Sequence, residues 1–133
     1  MSQTLVVCPF CGCGCSFYLE EKEGRAVGVT PSREHPVSQG SLCVKGWRAY
    51  EFINRPERLK SPMVRDGGIV RDATWDEAFD LVSEKLISIK KEYGSDALAF
   101  LSSAKLTNEE NYLFMKMARA AFKTNNVDHC ARL

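Results

Sequence analysis

The sequence predicts a mixed α+β, α/β chain, with a small β-rich domain over residues 1–60 and the opening of a doubly wound α/β domain over residues 61–133. Three observations predict it. Short apolar runs separated by Gly-containing turns fill the first part, the pattern of paired strands. Apolar residues recur at steps of three and four after Thr74 and again after Thr107, the pattern of helices. Between those two stretches Ala97 to Leu101 is an uninterrupted apolar run, the mark of a buried parallel strand.

The elements follow in order. Leu5-Val6-Val7 is a short apolar strand. Ser16 to Leu19 and Arg25 to Thr30 read as a hairpin about Glu23-Gly24. Pro31 to Ser41 is polar and rich in breakers, hence a loop. Trp47 to Asn54 reads as a short helix stopped by Arg55-Pro56. Met63 to Arg65 and Ile69 to Arg71 flank Asp66-Gly67-Gly68 as a second hairpin. Thr74-Trp75-Asp76-Glu77 is a capping box, in which hydroxyl and carboxylate satisfy two orphan backbone donors. Phe79, Val82, Leu86 and Ile89 then share one helix face, and Gly94 stops the helix after Tyr93. Thr107-Asn108-Glu109-Glu110 is another capping box, followed by the face Phe114, Met117, Ala118, Ala121 and Phe122. A strand starts near Val127. Helix–strand–helix of this kind needs a larger sheet to pack on, so the second domain reads as incomplete.

The chemistry lies in the cysteines. The run Cys8-Pro9-Phe10-Cys11-Gly12-Cys13-Gly14-Cys15 is answered by Cys43 in Leu42-Cys43-Val44-Lys45-Gly46. Cys8, Cys11, Cys15 and Cys43 give the spacing C-x2-C-x3-C-x27-C. A short loop holding three thiolates and a returning segment holding a fourth suit a cubane 4Fe–4S cluster. Gly12 and Gly14 let the backbone curl around a bulky inorganic core. Pro9 stiffens the turn. Two other readings stay open on these residues. C-x2-C is half of a zinc ribbon, although Cys43 stands alone with His35 as the nearest extra donor. A disulfide framework needs an oxidising compartment, and too few residues precede Cys8 for a signal peptide, so a reducing cytoplasm is expected. Cys13 is surplus; it could replace Cys11 or Cys15, or point away.

Composition excludes some classes. The formal net charge of the 133-residue chain is +1, so nucleic acid has no electrostatic hold on it. No apolar stretch approaches the ~18 residues that span a membrane.

Taken in order, these motifs resemble the molybdopterin oxidoreductase superfamily, and within it the formate dehydrogenase catalytic (alpha) subunits. The likeness covers the whole chain. Cys8 to Cys15 resembles that family's 4Fe–4S loop and Leu42-Cys43-Val44-Lys45-Gly46 its closing segment. Arg58 to Met63 and Thr74 to Ala78 resemble its passage into the next domain. Thr107 to Tyr112 and Thr124 to Arg132 are similar to the formate branch rather than to nitrate or arsenate enzymes.

The resemblance implies a bis(molybdopterin guanine dinucleotide) cofactor with molybdenum or tungsten. It implies oxidation of formate to carbon dioxide, with electrons leaving through the 4Fe–4S cluster to an electron-acceptor subunit. It places Lys45 between cluster and pterin, where a cation would stabilise the reduced cluster's added negative charge. Lys105 and Asn108, between a strand end and a helix start, are candidate pterin or diphosphate contacts. His129 and Cys130 are weaker ligand candidates, since the family's metal ligand lies elsewhere. That ligand, a cysteine or selenocysteine, would follow Leu133, so no catalytic residue is expected within the chain and the chain alone is expected to be inactive. An in-frame UGA read as a stop, or a fragment, would account for that end. Another reaction of the superfamily, such as formylmethanofuran oxidation, remains compatible. So do a stand-alone iron–sulfur carrier and a zinc-binding module.

Overall fold

A computed structural model describes residues 1–130 of the chain. Two compact units are present, one built from residues 1–58 with 101–115 and the segment from Asp128, the other from residues 59–100 and 116–127.

The first unit rests on an antiparallel sheet of β1 (Ser2–Val7), β2 (Ser16–Lys22) and β3 (Arg25–Pro31), in that order. Its hairpin turn is the expected Glu23-Gly24, with φ of +51° and +74°. Two successive residues in the left-handed region match the natural twist of paired strands. Phe17 on β2 is almost wholly buried, and with Cys8 and Ala49 it forms the core. Val6, Phe10, Leu19, Val29 and Leu42 pack against that core.

The expected helix over Trp47 to Asn54 is displaced. The helix found, α1, is one turn at Val44–Trp47. Beyond it the amides of Ala49, Glu51, Ile53 and Arg55 reach the carbonyls of Gly46, Arg48, Tyr50 and Phe52, each three residues back. Tyr50, Phe52 and Ile53 are weak helix formers, so the segment takes successive tight turns instead.

In the second unit β4 (Met63–Asp66) and β5 (Ile69–Asp72) form the expected hairpin, with Gly67 and Gly68 at φ of +53° and +88°. Helix α2 (Trp75–Tyr93) follows. Its N-cap is half of the expected capping box: the Glu77 amide donates to Thr74 Oγ1 at 3.2 Å. The Glu77 carboxylate is held chiefly by Arg71, with the Thr74 amide a weaker influence. It accepts two bonds from the Arg71 guanidinium of β5, at 2.5 and 3.2 Å. A bidentate charge-assisted pair outcompetes a single bond to a backbone donor that water can also satisfy.

The strand expected over Ala97 to Leu101 begins later. Gly94 turns at φ +87°, Ser95–Ala97 make a 3-10 turn, and β6 runs Phe100–Ser103. The Asn126 side-chain amide satisfies the carbonyls of Asp96 and Leu98, which removes any need for strand pairing there. Pairing starts where the Phe100 amide meets the Asn126 carbonyl at 2.8 Å, and β7 (Val127–Cys130) then neighbours β6. The second box is complete. Glu110 N–H donates to Thr107 Oγ1, and Thr107 N–H donates to the Glu110 carboxylate at 2.8 Å. Helix α3 (Asn108–Lys116) relaxes into a wider π-helical turn at Met117–Phe122. There Ala118 is fully buried and the Phe122 ring packs on Phe100 with centroids 5.4 Å apart.

The chain is thus a small β-rich domain followed by the start of an α/β domain.

Candidate metal centre

The cysteine run is the loop of the β1–β2 hairpin. Val7 pairs with Ser16 at its base, and the Cys8 amide donates to the Cys15 carbonyl at 2.7 Å. The sheet therefore delivers Cys8 and Cys15 side by side. Gly14, at φ +66°, turns the chain between Cys13 and Cys15 in a conformation that other residues adopt only at a cost. Cys8 is buried in the core, Cys11 and Cys15 are half-buried, and Cys13 is exposed.

Cys43 arrives from the other side as the N-cap residue of α1. Its thiol pKa is lowered below the ordinary value, chiefly by the nearby backbone amides of Gly46 and then Lys45, although the side chain makes no hydrogen bond that caps α1. Gly46 also packs closely. A Cβ there would sit 3.2 Å from the Leu42 side chain.

The thiols share one electrostatic field. Burial pushes the Cys8 thiol up and negative charge on Cys11 and Cys43 pushes it further, while the Phe10 amide and, more weakly, the Lys45 ammonium oppose them. Burial and then the Cys13 sulfur, with Cys8 and Cys11 behind it, hold the Cys15 thiol at about 11. A cationic metal core reverses such a penalty, because a coordinating thiol ionises outright. Among the described residues no three His, Cys, Asp or Glu side chains converge on a single ion position. One tetrahedral ion with Zn–S bonds of about 2.3 Å needs its sulfurs roughly 3.8 Å apart. A cubane asks for something else: one thiolate for each of four separate irons. Cys8 lies in the field of both Cys11 and Cys43, and Cys15 in that of Cys8 and Cys11, so the hairpin loop and the start of α1 bring four thiols to one region, as that second demand requires.

The remaining candidates are placed as follows. Lys45 is exposed and lines a cavity of about 300 Å³ with Phe10, Arg48, Phe52 and Arg55. Asn108 opens α3, and its Nδ2 donates to the Gly12 carbonyl of the cysteine loop at 2.8 Å. Lys105 is exposed in the turn before α3, its amide donating to Ser103 Oγ at 3.1 Å. The His129 amide donates to the Asp128 carboxylate on β7 at 2.7 Å. Ala131 to Leu133, the end of the segment likened to the formate branch, lie outside the described residues.

Sequence reasoning missed Asn111. Its Nδ2 donates to the carbonyls of Ser103 and Thr107, and its Oδ1 accepts from Ser102 Oγ. These bonds tie the end of β6 to the start of α3 and so fix where Asn108 stands. The only sequence signal was an Asn one position past the capping box.

Comparison with known proteins agrees with this geometry. Residues 1–55 match the Molybdopterin oxidoreductase Fe4S4 domain, and residues 58–133 match Molybdopterin oxidoreductase. The F420-dependent formate dehydrogenase 1 subunit alpha of Methanococcus maripaludis is 49% identical over 96% of this chain and 18% of its own length. The corresponding subunit of Methanocaldococcus jannaschii is 44% identical over the same shares. The putative formate dehydrogenase YrhE of Bacillus subtilis is 45% identical over 98% of this chain and 13% of its own length. The chain thus spans less than a fifth of these curated relatives. It carries the family's Fe4S4 domain and enters its molybdopterin domain, and it belongs to the molybdopterin oxidoreductase family.

Proposed function

We propose that the chain is the iron–sulfur-bearing portion of a molybdenum or tungsten formate dehydrogenase, with Cys8, Cys11, Cys15 and Cys43 as ligands of its 4Fe–4S cluster. The carrying observation is the hairpin loop that gathers three thiols and the turn at α1 that brings Cys43 and Lys45 into the field of Cys8. The names of the relatives supply the substrate, formate. When bound, the bis(molybdopterin guanine dinucleotide) centre supplies the two-electron chemistry and the cluster supplies single-electron transfer.

The chain's own residues have separable tasks. Residues 1–60 act as the cluster domain and residues 61–133 as the approach to the pterin domain. The nearby amides of Gly46 and Lys45 favour negative charge on the Cys43 sulfur, and amide dipoles beside a ligand sulfur raise a cluster's readiness to accept an electron. Lys45 offsets the charge gained on reduction. Lys105 and Asn108 are proposed pterin-side contacts, with Asn108 also holding the loop. Electrons leave for an acceptor subunit, and the reduced thiols suit a cytoplasmic setting. Among the described residues no helix is long and apolar enough to cross a membrane.

The test is anaerobic reconstitution with iron and sulfide. The wild-type chain is expected to take up about four irons, and Cys8→Ala or Cys43→Ala to lose more than half of them. Uptake of a single zinc with no iron–sulfur absorption would overturn the cluster reading. Formate is tested separately, in the intact enzyme, by reduction of a viologen dye.

A further inference from the structure

Five thiols serve a centre that needs four. The fifth, Cys13, is in contact with one of the others: the Cys15 thiol donates to Cys13 Sγ at 3.5 Å. The two residues flank Gly14, whose left-handed backbone turns their side chains toward each other. Cys13 is exposed, and a Cβ on Gly14 would meet nothing within 4 Å, so the space beside this corner of the loop is open. Cys43 has no second cysteine near it in the sequence.

We propose that Cys13 is a reserve ligand for the corner of the cluster held by Cys15, so that one iron site has two protein addresses. This inference rests on the cluster assignment made above. The exchange is balanced within the loop. The iron–sulfur bond to Cys15 breaks, a bond to Cys13 forms, and the Cys13 thiol proton passes to the departing Cys15 sulfur across the contact between them. No electron is transferred and no co-reactant is needed. A sulfur displacement of a few ångströms is within reach of a loop with glycine on both sides of Cys13. The consequence is a centre that survives loss of Cys15 as a ligand.

The experiment is anaerobic reconstitution of five chains: wild type, Cys13→Ser, Cys15→Ala, the Cys13→Ser/Cys15→Ala double variant, and Cys43→Ala. Iron content and the electron paramagnetic resonance spectrum of the reduced cluster are read. Wild type, Cys13→Ser and Cys15→Ala are expected to hold about four irons each, with a shifted spectrum only in Cys15→Ala. The double variant and Cys43→Ala are expected to lose at least half. Loss of the cluster from Cys15→Ala while wild type keeps it overturns the reserve-ligand role and leaves the cluster reading standing. Retention in the double variant also overturns it, since some other group then fills the corner. Failure of the wild type itself to take up iron counts against the cluster reading instead. Cys15→Val, which fills the site without a ligand atom, replaces Cys15→Ala if the latter does not fold, with the same outcomes read the same way.

Discussion

The side chain of Asn108 donates from Nδ2 to the carbonyl of Gly12 at 2.8 Å, joining residues 96 apart. Its amide oxygen is seated so closely that a Cβ on Gly12 would lie 2.5 Å from it. The cysteine loop is therefore latched at its middle by the first residue of α3. Asn111 fixes that residue through the Ser103 and Thr107 carbonyls. A loop that must hold several thiols at fixed spacing gains from an anchor outside its own hairpin, since loop residues otherwise open locally at little cost.

Removing the latch is expected to loosen the loop more than the fold. Asn108→Ala deletes one solvent-exposed hydrogen bond, a loss of about 0.5–1 kcal/mol. Gly12→Ala forces the Asn108 amide aside and is expected to cost about 1 kcal/mol. The double variant should cost less than the sum, because the alanine then meets no amide. Urea melts of the four chains check this. Strict additivity would show that the two residues act independently.

The half-formed capping box gives a second expectation. Thr74→Ala removes the acceptor for the Glu77 amide and is expected to cost about 1 kcal/mol. Glu77→Gln breaks the pairing with Arg71, which lowers the Glu77 carboxyl pKa and raises that of Arg71. A depressed carboxyl contributes stability above its unfolded pKa and loses it as pH falls through the folded one. The wild-type advantage over Glu77→Gln should therefore shrink on acidification and in high salt, whereas the Thr74→Ala deficit should change little. Thermal melts across pH and salt separate the two.

How much of this was legible beforehand depended on how local each signal was. The Glu23-Gly24 turn, the Gly67-Gly68 turn and the Gly94 stop are written in adjacent residues, and they stand where the sequence puts them. The cysteine loop is legible for the same reason, with ligand candidates and hinge glycines inside eight positions. Distant competition was invisible. Arg71 claims Glu77 from the Thr74 cap, and Asn126 claims the carbonyls of Asp96 and Leu98, delaying β6. No periodicity announces that Asn108 will meet Gly12. The contact between Cys13 and Cys15 depends on the left-handed Gly14 between them, which spacing permits without requiring.

Helix α2 carries the apolar face that its periodicity called for, but that face is open. Phe79 and Val82 are 61% and 55% exposed, beside an exposed Trp75 whose ring stacks on Phe79 at 5.4 Å. Apolar area gathered on one helix drives association in water. The 133-residue chain is expected to self-associate in size-exclusion runs and to bind an apolar dye. The Phe79→Lys/Val82→Lys variant should lower both by several-fold. A monodisperse wild-type monomer with no dye binding would remove this expectation.

The metal-free thiols should differ sharply in reactivity. Cys43 is held below its ordinary pKa by the amides of Gly46 and Lys45, and Cys15 is held up at about 11. The thiolate is the nucleophile, so near neutral pH iodoacetamide should modify the exposed Cys43 well before Cys15 in the reduced, metal-free chain. The same shifts set opposite pH dependences. Unfolded cysteine titrates near about 8.5. Cys15, raised in the fold, contributes stability fully present below that value and lost as pH rises through about 11. Cys43, lowered in the fold, contributes stability present above the unfolded value and lost as pH falls through its folded one. Between neutral and strongly alkaline pH the wild-type melting temperature should therefore fall further than that of Cys15→Ser, while Cys43→Ser should lose its deficit as pH falls. Peptide mapping of the alkylated chain reads the order directly. If Cys15 reacts as fast as Cys43, burial and the neighbouring sulfurs do not hold its proton, and the electrostatic coupling that places these thiols around one centre is weaker than the geometry requires.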